Sequence, residues 1–169
     1  EIALLHPDGF SALMDIARAV KAKYPPEELT LHLPAIPIEV EATAGAARAV
    51  ESAVRALTMG WSSLRFAWEL GRPDQKPGTI ERVVDVLSQV QAMGHRANGR
   101  RPRLRLEDTN FIPRPGTSSE RQPLASPGEL RDGLLELRKI VRRVGLQLMM
   151  TDPDRSLVEA AFAIGGRCI

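Results

Sequence analysis

This chain predicts an α/β fold, a partial (βα) barrel of the TIM type with about five parallel strands and outer helices. Three observations carry that prediction. Short apolar runs alternate with longer stretches of helical periodicity, strand and helix repeated five times. The connections are of ordinary length, so each helix can return the chain to a parallel neighbour. Twice, a strand-like run empties into a loop stiffened by Pro and Gly, at Gly71-Arg-Pro73 and at Asn110-Phe-Ile-Pro-Arg-Pro-Gly-Thr117. In parallel α/β folds, ligands are held at such strand ends.

The elements follow in order. Ile2-Ala-Leu-Leu5 reads as a first buried strand, closed by the turn His6-Pro-Asp-Gly9. Leu13, Ile16, Ala17 and Val20 give residues 10–24 one helical face, and Pro25-Pro26 stop it. Leu29, Leu31 and Leu33 place the second strand over 29–33, while Pro34 and Pro37 argue against a continuous strand beyond it. Residues 42–59 are Ala-rich, with Ala46, Val50, Ala53, Val54 and Leu57 as one apolar stripe, and Gly60 ends that helix. The third strand spans 61–70, and the loop at 71–78 is too rich in Pro and Gly for a regular element.

Thr79 is expected to cap a helix whose face is Ile80, Val83, Val84, Leu87 and Val90 and which ends near Gly94. A basic loop over 95–101 leads to a fourth strand at 104–110. Ser126-Pro-Gly-Glu129 is the clearest helix start, combining a capping box with Pro at the first helical position. Leu130, Leu134, Leu137, Ile140, Val141 and Val144 carry that helix to Gly145. Residues 146–150 form the fifth strand. Asp152-Pro-Asp154 opens a last short helix over 157–164, closed by Gly165-Gly166.

Composition sets the bounds. The 169 residues suit one domain spanning 1–169, large enough to bury roughly 70% of its unfolded surface. Net charge is only +2 and aromatics make up 4%, which argues against a nucleic-acid-binding composition with base-stacking surfaces. A single cysteine, Cys168, supports neither an internal disulfide nor a Cys-rich metal or iron–sulfur site. A reducing, cytoplasmic setting is therefore expected. No apolar run approaches the ~20 residues needed to span a bilayer, and no signal peptide is visible. The chain starts at Glu1 and enters a strand at once, so an N-terminal portion is expected upstream.

Three stretches then define a resemblance. Ala56 to Pro73 contains Gly60-Trp61, Ser63-Leu-Arg-Phe66 and Gly71-Arg-Pro73; Phe111-Ile-Pro-Arg-Pro-Gly-Thr117 follows the fourth strand; Asp152-Pro-Asp154 precedes Ser156-Leu157 and Glu159-Ala-Ala-Phe-Ala-Ile-Gly165. In this order they resemble the C-terminal portion of a radical S-adenosylmethionine enzyme core, of the group that carries a cobalamin-binding domain upstream. Leu31-His-Leu-Pro34 resembles a further strand end of that family more weakly. The resemblance implies a full-length parent with a [4Fe–4S] cluster and S-adenosylmethionine, and allows cobalamin. It also implies that Glu69, Gly71, Asn110 and Phe111 face cofactor or substrate. The departures are as informative. The family's three closely spaced cysteines are missing, the stretch between Pro34 and Ala56 reads as shortened, Gln75 stands where the family has an acid, and Thr117-Ser-Ser119 replaces its loop ending. No residue of this chain is expected to be catalytic or to bind a metal, and the chain reads as a fragment or degenerate copy.

Each candidate has a plainer reading beside it. Glu69 contacts a ligand in the cleft, or pairs with Arg65, Arg72 or Lys76. Asn110 binds a ligand, or caps its own turn. Arg96, Arg100, Arg101, Arg103 and Arg105 grip phosphate in an RNA-binding accessory role, or form a solvated edge paired with Glu107 and Asp108. His6, His32 and His95 share no metal-ligand spacing, and a structural role is preferred for His32. Asp152 and Asp154 read as capping groups before an acid/base pair. A non-enzymatic module is the other class: an incomplete barrel leaves strand edges, here Ile2-Ala-Leu-Leu5 and residues 146–150, to pair with a missing N-terminal portion or another chain.

Overall fold

A computed structural model describes residues 2–3, 10–24, 31–33, 35–40 and 43–165. Expectations placed on residues 4–9, Pro25, Pro26, Leu29, Pro34, Gly166 and Cys168, and on the side chains of Leu13, Leu31 and His32, lie outside the described residues.

Two eight-residue strands organise the rest. β4 (Ser63–Leu70) and β5 (Arg103–Asn110) pair in parallel along their whole length, from Ser63 opposite Arg103 to Leu70 opposite Asn110. Period-two alternation sends Leu64, Phe66, Trp68, Leu70, Leu104 and Leu106 to one buried face. Three helices cover that face: α2 (Thr43–Thr58), α3 (Thr79–Asn98) and α4 (Pro127–Val144). They contribute Ala53 and Leu57, Val83 and Leu87, and Leu130 and Leu137 to one core. β3 (Ile36–Pro37) and β6 (Gln147–Met150) flank the pair, so the sheet runs β3-β4-β5-β6, all parallel. β1 (Ile2–Ala3) and β2 (Leu31–His32) form a separate parallel pair. Helices α1 (Phe10–Lys23) and α5 (Pro153–Gly165) complete the described elements.

Spatial order equals chain order, and the crossover helices share one face of the sheet. That is single winding, the arrangement of a (βα) barrel, and the fold is α/β of the partial-barrel type. The opposite face carries Arg65, Ala67, Glu69, Arg103, Arg105, Glu107 and Thr109, all exposed or half-buried. All-parallel sheets usually have both faces covered; here the second face is polar.

The elements differ from expectation in instructive places. There are six described strands instead of five, and the neighbour of β4 is Ile36–Pro37 instead of the leucine run before Pro34. Pro37 is tolerated because the Ile38 N–H donates to Ala67 O at 2.9 Å. The alternation then turns the proline nitrogen away from β4, where no ladder bond is lost. Thr79 is not the N-cap of α3. Gly78, at φ 80°, holds that position without a side-chain cap, while Thr79 is buried, its hydroxyl accepting from the Lys76 N–H and the Arg82 guanidinium. Nor does Gly94 end α3. A Cβ there would lie 2.7 Å from Leu57 Cδ1 and 2.8 Å from Pro102 Cγ, so the glycine serves a close approach. The helix continues to Asn98 and stops at Gly99, φ 67°. On α1, Ala17 is buried but Ile16 is 51% exposed. α4 starts as expected, with both halves of its capping box formed.

Candidate functional site

At the carboxyl ends of the strands, Glu69 of β4 stands directly opposite Thr109 of β5. A cleft lies on each side of this pair, and both residues line both clefts. Towards β3, a cavity of about 520 Å³ is bounded by Ile38, Glu39 and Val40, by Trp68, and by Arg72, Asp74 and Gln75 of the following loop. Towards β6, a cavity of about 450 Å³ is bounded by Asn110, Ile112 and Arg114 and by Thr151, Arg155, Ser156 and Glu159.

The loop after β4 is fastened from within. Gly71 adopts φ 82°, a left-handed conformation that favours glycine, and a Cβ there would come within 2.6 Å of Leu130 Cδ2. Gln75 folds back over the turn: its Oε1 accepts from the Gly71 N–H at 2.9 Å and its Nε2 donates to the Glu69 carbonyl. Arg72 then forks onto Asp74, with Nε at 3.0 Å and Nη2 at 3.1 Å, and reaches Glu69 through Nη1 at 3.4 Å. The hydrogen bond between the two holds the Asp74 carboxyl below its ordinary pKa and raises that of Arg72. The Arg72 guanidinium carbon also lies 6.0 Å from the Phe111 ring centroid.

The end of β5 is fastened to α5. Asn110 is buried, and its Nδ2 donates to Ser156 Oγ at 2.8 Å and to the Thr151 carbonyl at 3.3 Å. The Ser156 hydroxyl donates to the Asp152 carbonyl at 3.2 Å, and the Asp154 N–H donates to Asp152 Oδ1 at 2.9 Å. Asp152 therefore caps α5, as its place before Pro153 predicts. Phe111 is buried, and its N–H extends the ladder to the Leu70 carbonyl at 2.8 Å.

The four residues singled out by the resemblance, Glu69, Gly71, Asn110 and Phe111, thus meet at one rim. Only Glu69 and Asn110 line a cleft; Gly71 shapes the loop, and Phe111 packs beneath Arg72. Glu69 pairs with Arg72, one of the three cations considered for it. The arginine stripe divides. Arg103 and Arg105 lie on the polar sheet face, with Arg105 bonded to Gln147 Oε1 at 3.4 Å, whereas Arg101 precedes the strand. Glu107 pairs with Arg65 at 3.5 Å. Among the described residues Asp108 pairs with no arginine, because the alternation turns it to the helix-covered face. His95 is exposed on α3.

Asp108 is the residue that sequence reasoning assigned to the wrong face. It is 2% exposed, and neither carboxylate oxygen has a hydrogen-bond partner among the described residues. Burial without compensation pushes its carboxyl up to about 8. Its parity with Leu104 and Leu106 was the signal that could have placed it in the core.

No protein family, curated protein or solved structure matches this chain. Among the described residues, no group of three or more His, Cys, Asp or Glu could hold a metal ion. A [4Fe–4S] cluster takes several cysteine thiolates, and the single Cys168 cannot supply them; this chain's residues do not fit that group. No helix of the described residues is long and apolar enough to cross a membrane.

Proposed function

We propose that the chain is a portion, or a degenerate copy, of a radical S-adenosylmethionine-type core barrel, and that it forms one wall of a ligand pocket instead of the centre that makes a radical. One observation carries this reading: the singly wound sheet leaves its polar face open and ends in two clefts that share Glu69 and Thr109. In barrels built this way, the carboxyl ends of the strands are the ligand-binding end. The family itself rests on the three motif stretches. S-adenosylmethionine and an iron–sulfur cluster belong to the parent in this reading, with the cluster held outside these residues and a cytoplasmic setting. Determining the coding sequence upstream of Glu1 tests it: a Cys-x-x-x-Cys-x-x-Cys run is expected for a fragment. An initiation codon directly before Glu1, together with no S-adenosylmethionine binding by the purified chain, would overturn both forms.

A second reading is favoured by the sheet edge. Among the described residues β6 pairs only with β5, and its Met149 and Met150 are 52% and 45% exposed. An open edge of this kind pairs readily with another strand, which suits a non-enzymatic assembly module. Size-exclusion chromatography of the chain decides it, a monomer at high micromolar concentration counting against assembly between copies.

A further inference from the structure

The two clefts that meet at Glu69 and Thr109 differ in charge. On the β3 side, Glu39, Glu69 and Asp74 face one cation, Arg72, and that guanidinium is already divided between Asp74 and Glu69. On the β6 side, Arg114 and Arg155 face Glu69 and Glu159. Neither guanidinium has a hydrogen-bond or ion-pair partner among the described residues. A simple anion placed there meets two arginines but also two carboxylates. A simple cation on the other side meets carboxylates partly satisfied by Arg72 and, for Glu39, by Arg48 at 3.5 Å. A molecule with both charges can satisfy both sides at once, laying its carbon chain across Glu69 and Thr109, which both clefts share.

We propose that the two clefts form one bipartite site for a small zwitterion. Its phosphate or carboxylate sits on Arg114 and Arg155, and its ammonium sits on Glu69, towards Asp74. The inference deepens the reading of this rim as a pocket wall and depends on it for the site's position alone, not for any radical chemistry.

Isothermal titration of the purified chain tests it with four probes: O-phosphoethanolamine, 4-aminobutyrate, inorganic phosphate and ethanolamine. At least one of the two zwitterions is expected to bind tenfold or more tighter than either single-charge probe, and the better of them identifies the anionic group. Arg155→Gln and Glu69→Gln, both at exposed or half-buried rim positions, should each return the zwitterion to within about twofold of the matching single-charge probe. Circular dichroism melting confirms that each variant is folded. Binding no tighter than that of inorganic phosphate, zwitterion affinity untouched by Glu69→Gln, or no binding of any probe would each overturn the proposal. A missing upstream cysteine run would leave these affinities as they are, so the two readings fail separately.

Discussion

Glu69 and Thr109 are register partners one residue before the carboxyl ends of β4 and β5, and both line both rim clefts. Thr109 is exposed, with its hydroxyl only 3.4 Å from the Trp68 carbonyl. Replacing it with Phe therefore costs little packing but fills both cavities. Urea denaturation of Thr109→Phe should show a change within about 0.5 kcal/mol, while calorimetric binding of the better of the two zwitterions should disappear.

Asp108 makes stability depend on pH in an unusual sense for a carboxylate. Its folded-state pKa of about 8 lies above the ordinary carboxylate value, so the native state holds the proton more tightly than the unfolded chain. Stability is greatest below the unfolded value and declines as pH rises towards 8, with a slope approaching about 1.4 kcal/mol per pH unit. Asp108→Asn, which cannot ionise, should flatten this slope. Urea unfolding at pH 5, 7 and 9 should find the variant more stable by about 1–2 kcal/mol at pH 5 and by several kcal/mol at pH 9.

Gly71 and Gly99 separate two costs of adding a side chain. Both have positive φ, but only at Gly71 would a Cβ strike a neighbour, Leu130 Cδ2 at 2.6 Å; at Gly99 nothing lies within 4 Å. Gly99→Ala should lose about 1 kcal/mol from backbone strain. Gly71→Ala should lose roughly 2–4 kcal/mol, because overpacking adds to the strain. Thermal melting of the two variants side by side checks the order.

Ser126 closes α4 at its start: its Oγ accepts from the Glu129 N–H at 3.3 Å, and Glu129 Oε2 accepts from the Ser126 N–H at 2.8 Å. Ser126→Ala is expected to cost about 1 kcal/mol in chemical denaturation. A loss above ~3 kcal/mol would show that the residue does more than cap.

Asn110 ties β5 to α5 through Ser156 and Thr151. Asn110→Ala should cost about 2 kcal/mol. Ser156→Ala in the same background should add less than it does alone, since the shared bond is already gone. Hydrogen exchange should localise the loosening to residues 153–165.

Much of the sheet was readable in the chain. β4 and β5 alternate cleanly over eight residues, and the capping box fixes the start of α4, because both patterns depend on neighbours close in sequence. β3 was hidden: a two-residue strand that includes Pro37 carries no periodicity, and only pairing with Phe66 and Ala67 makes it a strand. Asp108 was misplaced because its charge drew it towards nearby arginines, although its parity with Leu104 and Leu106 put it inside. Glu69 was found by its place at a strand end. Its partner Thr109 and the cations Arg114 and Arg155 were missed, since register and loop placement bring together residues 40 or more positions apart.

The double grip of Gln75 on Gly71 and Glu69 has a practical consequence for engineering. It staples the entrance of the hairpin-like bend shut, so extra residues inserted between Arg72 and Asp74 would have to burst the staple. Residues spliced in after Lys76 would part a second tie, since the Lys76 N–H donates to Thr79 Oγ1 at 3.2 Å and the Thr79 N–H to the Lys76 carbonyl at 3.1 Å. New side chains are therefore best introduced by substitution at the exposed Pro73 and Pro77, which leaves both ties in place.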